Sequence, residues 1–218
     1  MIELILKVSA SYLLGSILGS LLIARMTGRA DIRAVGSGNP GTTNALRTQG
    51  KLFALGVVLV DVGKGWVATR VVPGLWLNLR PPPIPIHSWL PAVCGAAVML
   101  GHVYPLWYGF RGGKAVATFV GAVLGLMPRL VIPVLLTWIG VVVLTGFVGL
   151  ASMAAAVSLP LCIAWTGLAG YRPFLVFGLF AAVLIVLTHR ANIARMCTGR
   201  EPRARRLWLF GRRAVSRT

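Results

Sequence analysis

Apolar residues fall in seven blocks along the chain, at roughly 4–26, 52–72, 87–104, 115–127, 131–145, 150–165 and 174–187. A bilayer core of about 30 Å takes about 20 apolar residues per helix, so the blocks predict seven membrane-crossing helices. Between 131 and 165 the apolar stretch is twice the length of one span, and Thr145-Gly146-Phe147-Val148-Gly149 is the break that divides it. Several blocks are short for a full crossing, which is tolerated where helices line a protein-buried or water-filled cavity. The predicted fold is an all-α integral membrane protein. It has seven transmembrane helices around a cytoplasm-facing polar cavity over residues 1–194, and a basic cytoplasmic tail over 195–218.

Composition agrees with that reading. Of 218 residues 57% are hydrophobic and 12% charged, against about 25% charged in soluble domains. The 22 Lys and Arg against 4 Asp and Glu give a formal net charge of +18, and its placement decides its meaning. One side collects Arg25, Arg29, Arg33, Arg47, Lys51, Arg111, Lys114 and the nine arginines after Leu187, while the other has Arg70, Arg80, Arg129 and Arg172. The positive-inside rule then puts the N-terminus outside and the C-terminus and polar loops in the cytoplasm. The tail is expected against anionic headgroups, with no nucleic-acid partner. The apolar N-terminus follows Glu3 rather than a basic region and ends in no small-residue cleavage site, so it is expected to stay as a span. Cys94, Cys162 and Cys197 have neither CxxC nor Cys/His spacing, so no zinc site and no disulfide framework are expected.

Three cytoplasmic-side segments are too polar to be simple connectors. Gly36-Ser37-Gly38-Asn39-Pro40-Gly41-Thr42-Thr43-Asn44-Ala45-Leu46-Arg47 combines glycines with hydroxyl, amide and guanidinium donors, a composition suited to cradling phosphate. It is neither a Walker A loop nor a dinucleotide fingerprint. The second segment runs from Gly101-His102 to Gly112-Gly113-Lys114 and leads into a helix near Ala115, which places amides and an ammonium at a helix start. The third, Thr188-His189-Arg190-Ala191-Asn192-Ile193-Ala194-Arg195, puts His189 and Asn192 on one face if the helix continues. His102 and His189 have no carboxylate nearby and make a poor metal-ligand set. Asp61 and Lys64, three apart inside the second block, are either a fold-fixing ion pair or part of the polar cavity.

With Glu3, Asp31, Asp61 and Glu201 as its only acids, the chain cannot assemble a two-metal phosphoryl-transfer site or a glycosidase carboxylate pair. No nucleophile elbow suggests a hydrolase. What the residues allow is a membrane cavity that binds phosphates and stabilises an oxyanion, for substrates that are anionic and partly lipidic.

GSGNPGTTNALR, GHVYPLWYGFRGGKAVAT, GLASMAAAVSLP and HRANIAR closely resemble, in order, the signature segments of the bacterial acylphosphate:glycerol-3-phosphate acyltransferase family, the PlsY type. The resemblance covers nearly the whole chain. It implies an inner-membrane enzyme that moves a fatty acyl group from acyl phosphate to the 1-hydroxyl of sn-glycerol 3-phosphate, giving lysophosphatidic acid and phosphate without a cofactor. It leaves open a partnership with the enzyme that supplies acyl phosphate. Carried over by motif, Ser37, Arg47, Lys114, His189 and Asn192 are the expected catalytic residues. Asn39, Thr43, Asn44, His102, Gly112, Gly113, Ser152 and Arg190 are the expected substrate-binding set. On this reading Arg47 and Lys114 hold the two phosphates, Ser37, Asn39 and the Gly112-Gly113 amides orient the acyl phosphate, and His189 and Asn192 orient the glycerol hydroxyl. Two departures stand out. Ala115 follows the lysine where the family commonly has Gly, a change expected to be harmless inside a helix. Gly149 replaces the first of two serines in the third motif, leaving Ser152. The alternative reading is a transporter or flippase for a phosphate-bearing metabolite, against which stands the lack of an internal repeat.

Overall fold

A computed structural model describes residues 2–75, 84–166 and 172–211, with 84–87 described by backbone alone. Arg80 and the tail's Arg212, Arg213 and Arg217 lie outside the described residues. The described residues are mainly helical and carry no strand. The chain divides into two compact units, Met1–Pro128 and Arg129–Thr218.

In the first unit α1 (Ile2–Ser16) and α2 (Gly19–Thr27) form one apolar span bent by 53°. A short α3 (Thr42–Thr48) precedes α4 (Lys51–Trp66), α5 (Ile84–Val103) and α6 (Val116–Leu126). Small residues set the packing. A Cβ on Gly15 would overlap the Val98 carbonyl and one on Gly101 the Tyr12 carbonyl, so α1 and α5 touch backbone to backbone. Gly65 and Gly121 do the same for α4 and α6 against the Thr118 and Val62 carbonyls. Where lipid tails are as apolar as leucine, such close approach is what holds helices together. Leu18, Leu21, Ile32, Ala45, Phe53 and Val57 form an apolar floor under the first polar segment.

In the second unit α7 (Pro128–Thr145), α8 (Val148–Trp165), α9 (Arg172–Thr188) and α10 (Arg190–Cys197) follow. Gly146, at φ +76°, makes the expected break between α7 and α8. α7 exposes Ile132, Leu136, Ile139 and Leu144, a surface that suits lipid rather than water.

All seven apolar blocks fall on helices. Among the described residues four helices are long and apolar enough to span a membrane, or six if each bent pair is one span. The remaining block is α6, whose 11 residues reach only about 16 Å. The third polar segment does not continue α9 straight. The chain bends 55° at His189, which takes φ −95° and ψ 8° between α9 and α10.

Within the basic tail, residues 203–211 fold back onto the α7–α8 turn. Ala204 N–H donates to Gly146 O at 2.8 Å, Leu209 N–H to Val143 O at 2.9 Å, and Trp208 Nε1–H to Leu144 O at 3.2 Å. The Arg203 guanidinium stacks on Trp208 and Phe147, 4.2 and 4.7 Å from their ring centroids.

Ala115 corrects a further expectation. It is not inside α6 but caps it, fully buried, at φ +57° and ψ 15°. A left-handed backbone costs an L-residue about 1–2 kcal/mol, and Gly escapes this cost. Ala115→Gly should therefore be no less stable than the native protein despite the lost methyl group. Ala115→Val should lower the thermal denaturation midpoint clearly, because a β-branched side chain tolerates this conformation least. Equal midpoints for the two variants in detergent would show that the residue carries no strain.

Candidate active site

The first polar segment is built around one asparagine. Asn44, buried on α3, accepts the Ser37 N–H at Oδ1 (3.0 Å) and donates from Nδ2 to Ile32 O (3.2 Å) and Val35 O (3.0 Å). Gly38 N–H meanwhile donates to Val35 O at 3.1 Å. The Asn44 side chain and two loop amides thus close the loop on itself. Gly36, at φ +63°, is pressed so closely on the Asn44 amide that no Cβ would fit. Ser20 Oγ on α2 donates to Pro40 O at 3.0 Å and pins the loop's far side. What the loop then presents outward is side chains. Ser37, Thr43 and Arg47 are exposed and Asn39 half-buried, and none of the four makes a side-chain hydrogen bond or ion pair with the described residues.

The second segment uses its glycines in the same inward way. Gly112 N–H donates to Val103 O and Gly113 N–H to His102 O, both at 3.0 Å. These amides are occupied by the end of α5, which corrects the expectation that they orient the acyl phosphate. The glycines are required for space: a Cβ on Gly112 would overlap His102 O, and one on Gly113 the imidazole Nε2. Lys114, half-buried, follows two residues before α6 begins. His102 is buried with Nδ1 2.8 Å from Lys64 Nζ.

The two loops meet in the first unit. Gly38 and Pro40 from one and Arg111 and Gly112 from the other line an open cavity of about 580 Å³, together with Asp31, Arg33 and Ala34. Arg33 is held there by both Asp31 carboxylate oxygens at 2.7 to 3.1 Å and stacks on Tyr108. Its hydrogen bonds hold the Asp31 carboxyl below the usual carboxylate range.

In the second unit His189 and Asn192 are buried and Arg190 is exposed. His189 Nδ1 lies 2.8 Å from Ile185 O, which can only accept, so Nδ1 carries a hydrogen. Asn192 donates from Nδ2 to Glu201 Oε1, and Arg195 Nε–H to Glu201 Oε2, both at 2.6 Å. Gly149 on α8 makes room for this arrangement, since a Cβ there would sit 3.0 to 3.1 Å from three atoms of Asn192. Ser152 is turned into the packing: its hydroxyl donates to Val148 O at 2.9 Å and accepts the Trp138 Nε1–H at 3.3 Å.

Comparison with known proteins agrees with this arrangement of motifs. Residues 5–199 match the family model described as glycerol-3-phosphate acyltransferase. The chain belongs to the glycerol-3-phosphate acyltransferase family. It is 42% identical over 202 residues to the glycerol-3-phosphate acyltransferase of Geobacter sulfurreducens, covering 92% of this chain and 97% of that protein. The enzyme of the same name from Synechococcus sp. is 37% identical over 199 residues, 91% of this chain and 94% of that protein. Two solved structures match in fold, both of PlsY, an integral membrane glycerol 3-phosphate acyltransferase. Its glycerol 3-phosphate form gives a TM-score of 0.80 at 36% identity, and its lysophosphatidic acid form 0.79 at 34%; each covers 92% of this chain and 94% of that one. The chain is therefore an integral membrane acyltransferase of a bacterial membrane family.

Some contacts of this family member were not legible from sequence. Arg33 and Arg111 line the shared cavity, and both had counted only toward topology. Glu201, a position the family motif also matches just beyond the third segment, orients Asn192 from nine residues away, a spacing with no helical signature. Lys64 and Asp61, paired by their spacing, are buried together at 2.9 Å, and their partners lie on α1, α2 and α5.

Proposed function

We propose that this chain transfers an acyl group from acyl phosphate to the 1-hydroxyl of sn-glycerol 3-phosphate, releasing lysophosphatidic acid and inorganic phosphate. The observation that carries this reading is the shared cavity of the first unit, where two glycine-rich loops with inward-facing amides meet beside basic side chains. The PlsY forms named for glycerol 3-phosphate and lysophosphatidic acid support the acceptor and the product.

Acyl phosphate is already activated, so no covalent acyl-enzyme is needed. The glycerol oxygen attacks the acyl carbonyl carbon, the bond from that carbon to the phosphate oxygen breaks, and the hydroxyl proton passes to the departing phosphate. Positioning and charge stabilisation are then the enzyme's whole task. We assign Arg47 and Lys114 to the phosphates, Ser37, Asn39 and Thr43 to the acyl phosphate, and His189, Arg190 and Asn192 to the glycerol moiety. Asn44, Gly112, Gly113 and Ser152 support the site through the internal bonds they make. The enzyme that supplies acyl phosphate is the natural partner for such a substrate.

Purified protein in detergent should release phosphate from acyl phosphate only when glycerol 3-phosphate is present. Transport of either compound across vesicles without phosphate release would instead favour the transporter reading.

The Lys and Arg asymmetry further supports an outside N-terminus, with the polar loops, the C-terminus and the basic stretch after residue 194 in the cytoplasm. A Ser216→Cys variant in a background lacking the three native cysteines should resist an impermeant thiol reagent in intact cells and react after lysis. Labelling from outside would reverse the orientation.

A further inference from the structure

The bend between α1 and α2 frees backbone groups inside the membrane, where only protein can satisfy them. Lys64 Nζ on α4 donates to Gly15 O at 3.0 Å and Ile17 O at 2.6 Å, while Asp61 Oδ1 accepts the Gly19 N–H at 3.2 Å. Lys64 and Asp61 stand 2.9 Å apart with side chains 2% and 1% exposed. Fixing the bend needs nothing more than these contacts. Yet the ammonium also reaches His102 Nδ1 at 2.8 Å. Nδ1 also stands 3.6 Å from Asp61 Oδ1, so the buried pair holds the ring by that one nitrogen. The same histidine seats the second loop twice, through its carbonyl to Gly113 N–H and through its ring face, against which Gly113 has no room for a Cβ. Lys114 is the next residue. The bend is also tied to the start of this segment by the Leu106 N–H, which donates to Ser16 Oγ at 3.2 Å.

We propose that Asp61, Lys64 and His102 form a buried positioning network that locks the imidazole through Nδ1 and thereby sets the Gly112-Gly113-Lys114 loop. His102 then acts on the reaction through the loop rather than by touching substrate. The proposal rests on the acyltransferase reading, because its readout is that reaction.

The two nitrogens of the ring separate the roles. His102→Asn keeps an acceptor near the place of Nδ1, whereas His102→Gln puts its amide near the place of Nε2. A positioning role predicts that the Asn variant stays within about 10-fold of native kcat/KM while the Gln variant and Lys64→Met each lose about 10²-fold, the scale of a 1 Å misplacement of a reacting group. It also predicts coupling: in a Lys64→Met background the difference between Asn and Gln should vanish. Activities are measured on protein that elutes as a single folded peak. A Gln variant as active as the Asn variant or more so, or an Asn-to-Gln difference unchanged in the Lys64→Met background, would overturn the proposal. If Lys64→Met gives no folded protein, the Asn and Gln comparison alone decides. Native protein that releases no phosphate would instead sink the acyltransferase reading.

Discussion

Lys114→Ala and Arg47→Ala should each lower kcat/KM for phosphate release by about 10²–10³-fold while leaving the protein inserted and folded. Two anionic substrates must meet in one site, and their repulsion grows steeply where water is excluded. Fixed positive charge between them offsets that repulsion most in the transition state, when charge moves onto the departing phosphate. Arg47 lies exposed in the last turn of α3, on the segment that also exposes Ser37 and Thr43, and its removal leaves the Asn44 bonds intact. Lys114 follows directly on Gly113, which is anchored to the end of α5 by its own amide. Both truncations should therefore act on catalysis rather than on folding. Near-native phosphate release from either variant would remove that residue from the site. Lys restored at Arg47 should recover only part of the rate, because an ammonium cannot form the two parallel bonds that a guanidinium offers a phosphate.

Apolar periodicity made the helices legible, down to the break at Gly146, because a bilayer leaves the backbone few other choices. Two of the polar motifs also marked loops that meet at one cavity. What sequence could not distinguish is which polar groups face inward. Asn44 and Ser37 read alike as donors, yet one closes the loop and the other points out, a difference fixed by the carbonyls of Ile32 and Val35. The glycines of the second segment look like phosphate ligands in sequence, but His102 already takes the space beside them. Ala115 reads as a good helix former because the left-handed cap it occupies is set by the anchoring of Gly113, not by local propensity. The bend at Ile17 was hidden for the same reason: its stabilising partner, Lys64, is 47 residues away.

His189→Gln should lose less than the 10²–10⁴-fold that removal of a general base costs, if the departing phosphate takes the hydroxyl proton. The geometry makes this a sharp test, because His189 directs its Nδ1 hydrogen toward Ile185 O, which leaves Nε2 as the nitrogen that a base would use. Gln keeps a hydrogen-bonding group near the place of Nε2 but cannot take up a proton at neutral pH. If His189 only orients the hydroxyl, that group suffices and the pH–rate profile keeps its native limbs. His189→Ala should be worse, since it leaves no hydrogen-bonding group at either ring nitrogen's place where α9 bends into α10. Asn192→Ala should resemble it, because the buried amide is lost and Glu201 is left held by Arg195 alone. A fall beyond about 10³-fold in His189→Gln, with loss of a limb in the ordinary histidine range, would make His189 the base and displace the phosphate from that role. The carboxylates give no third choice among the described residues: Glu201 is engaged by Asn192 and Arg195, Asp61 by Lys64, Asp31 by Arg33 and Glu3 by Lys7.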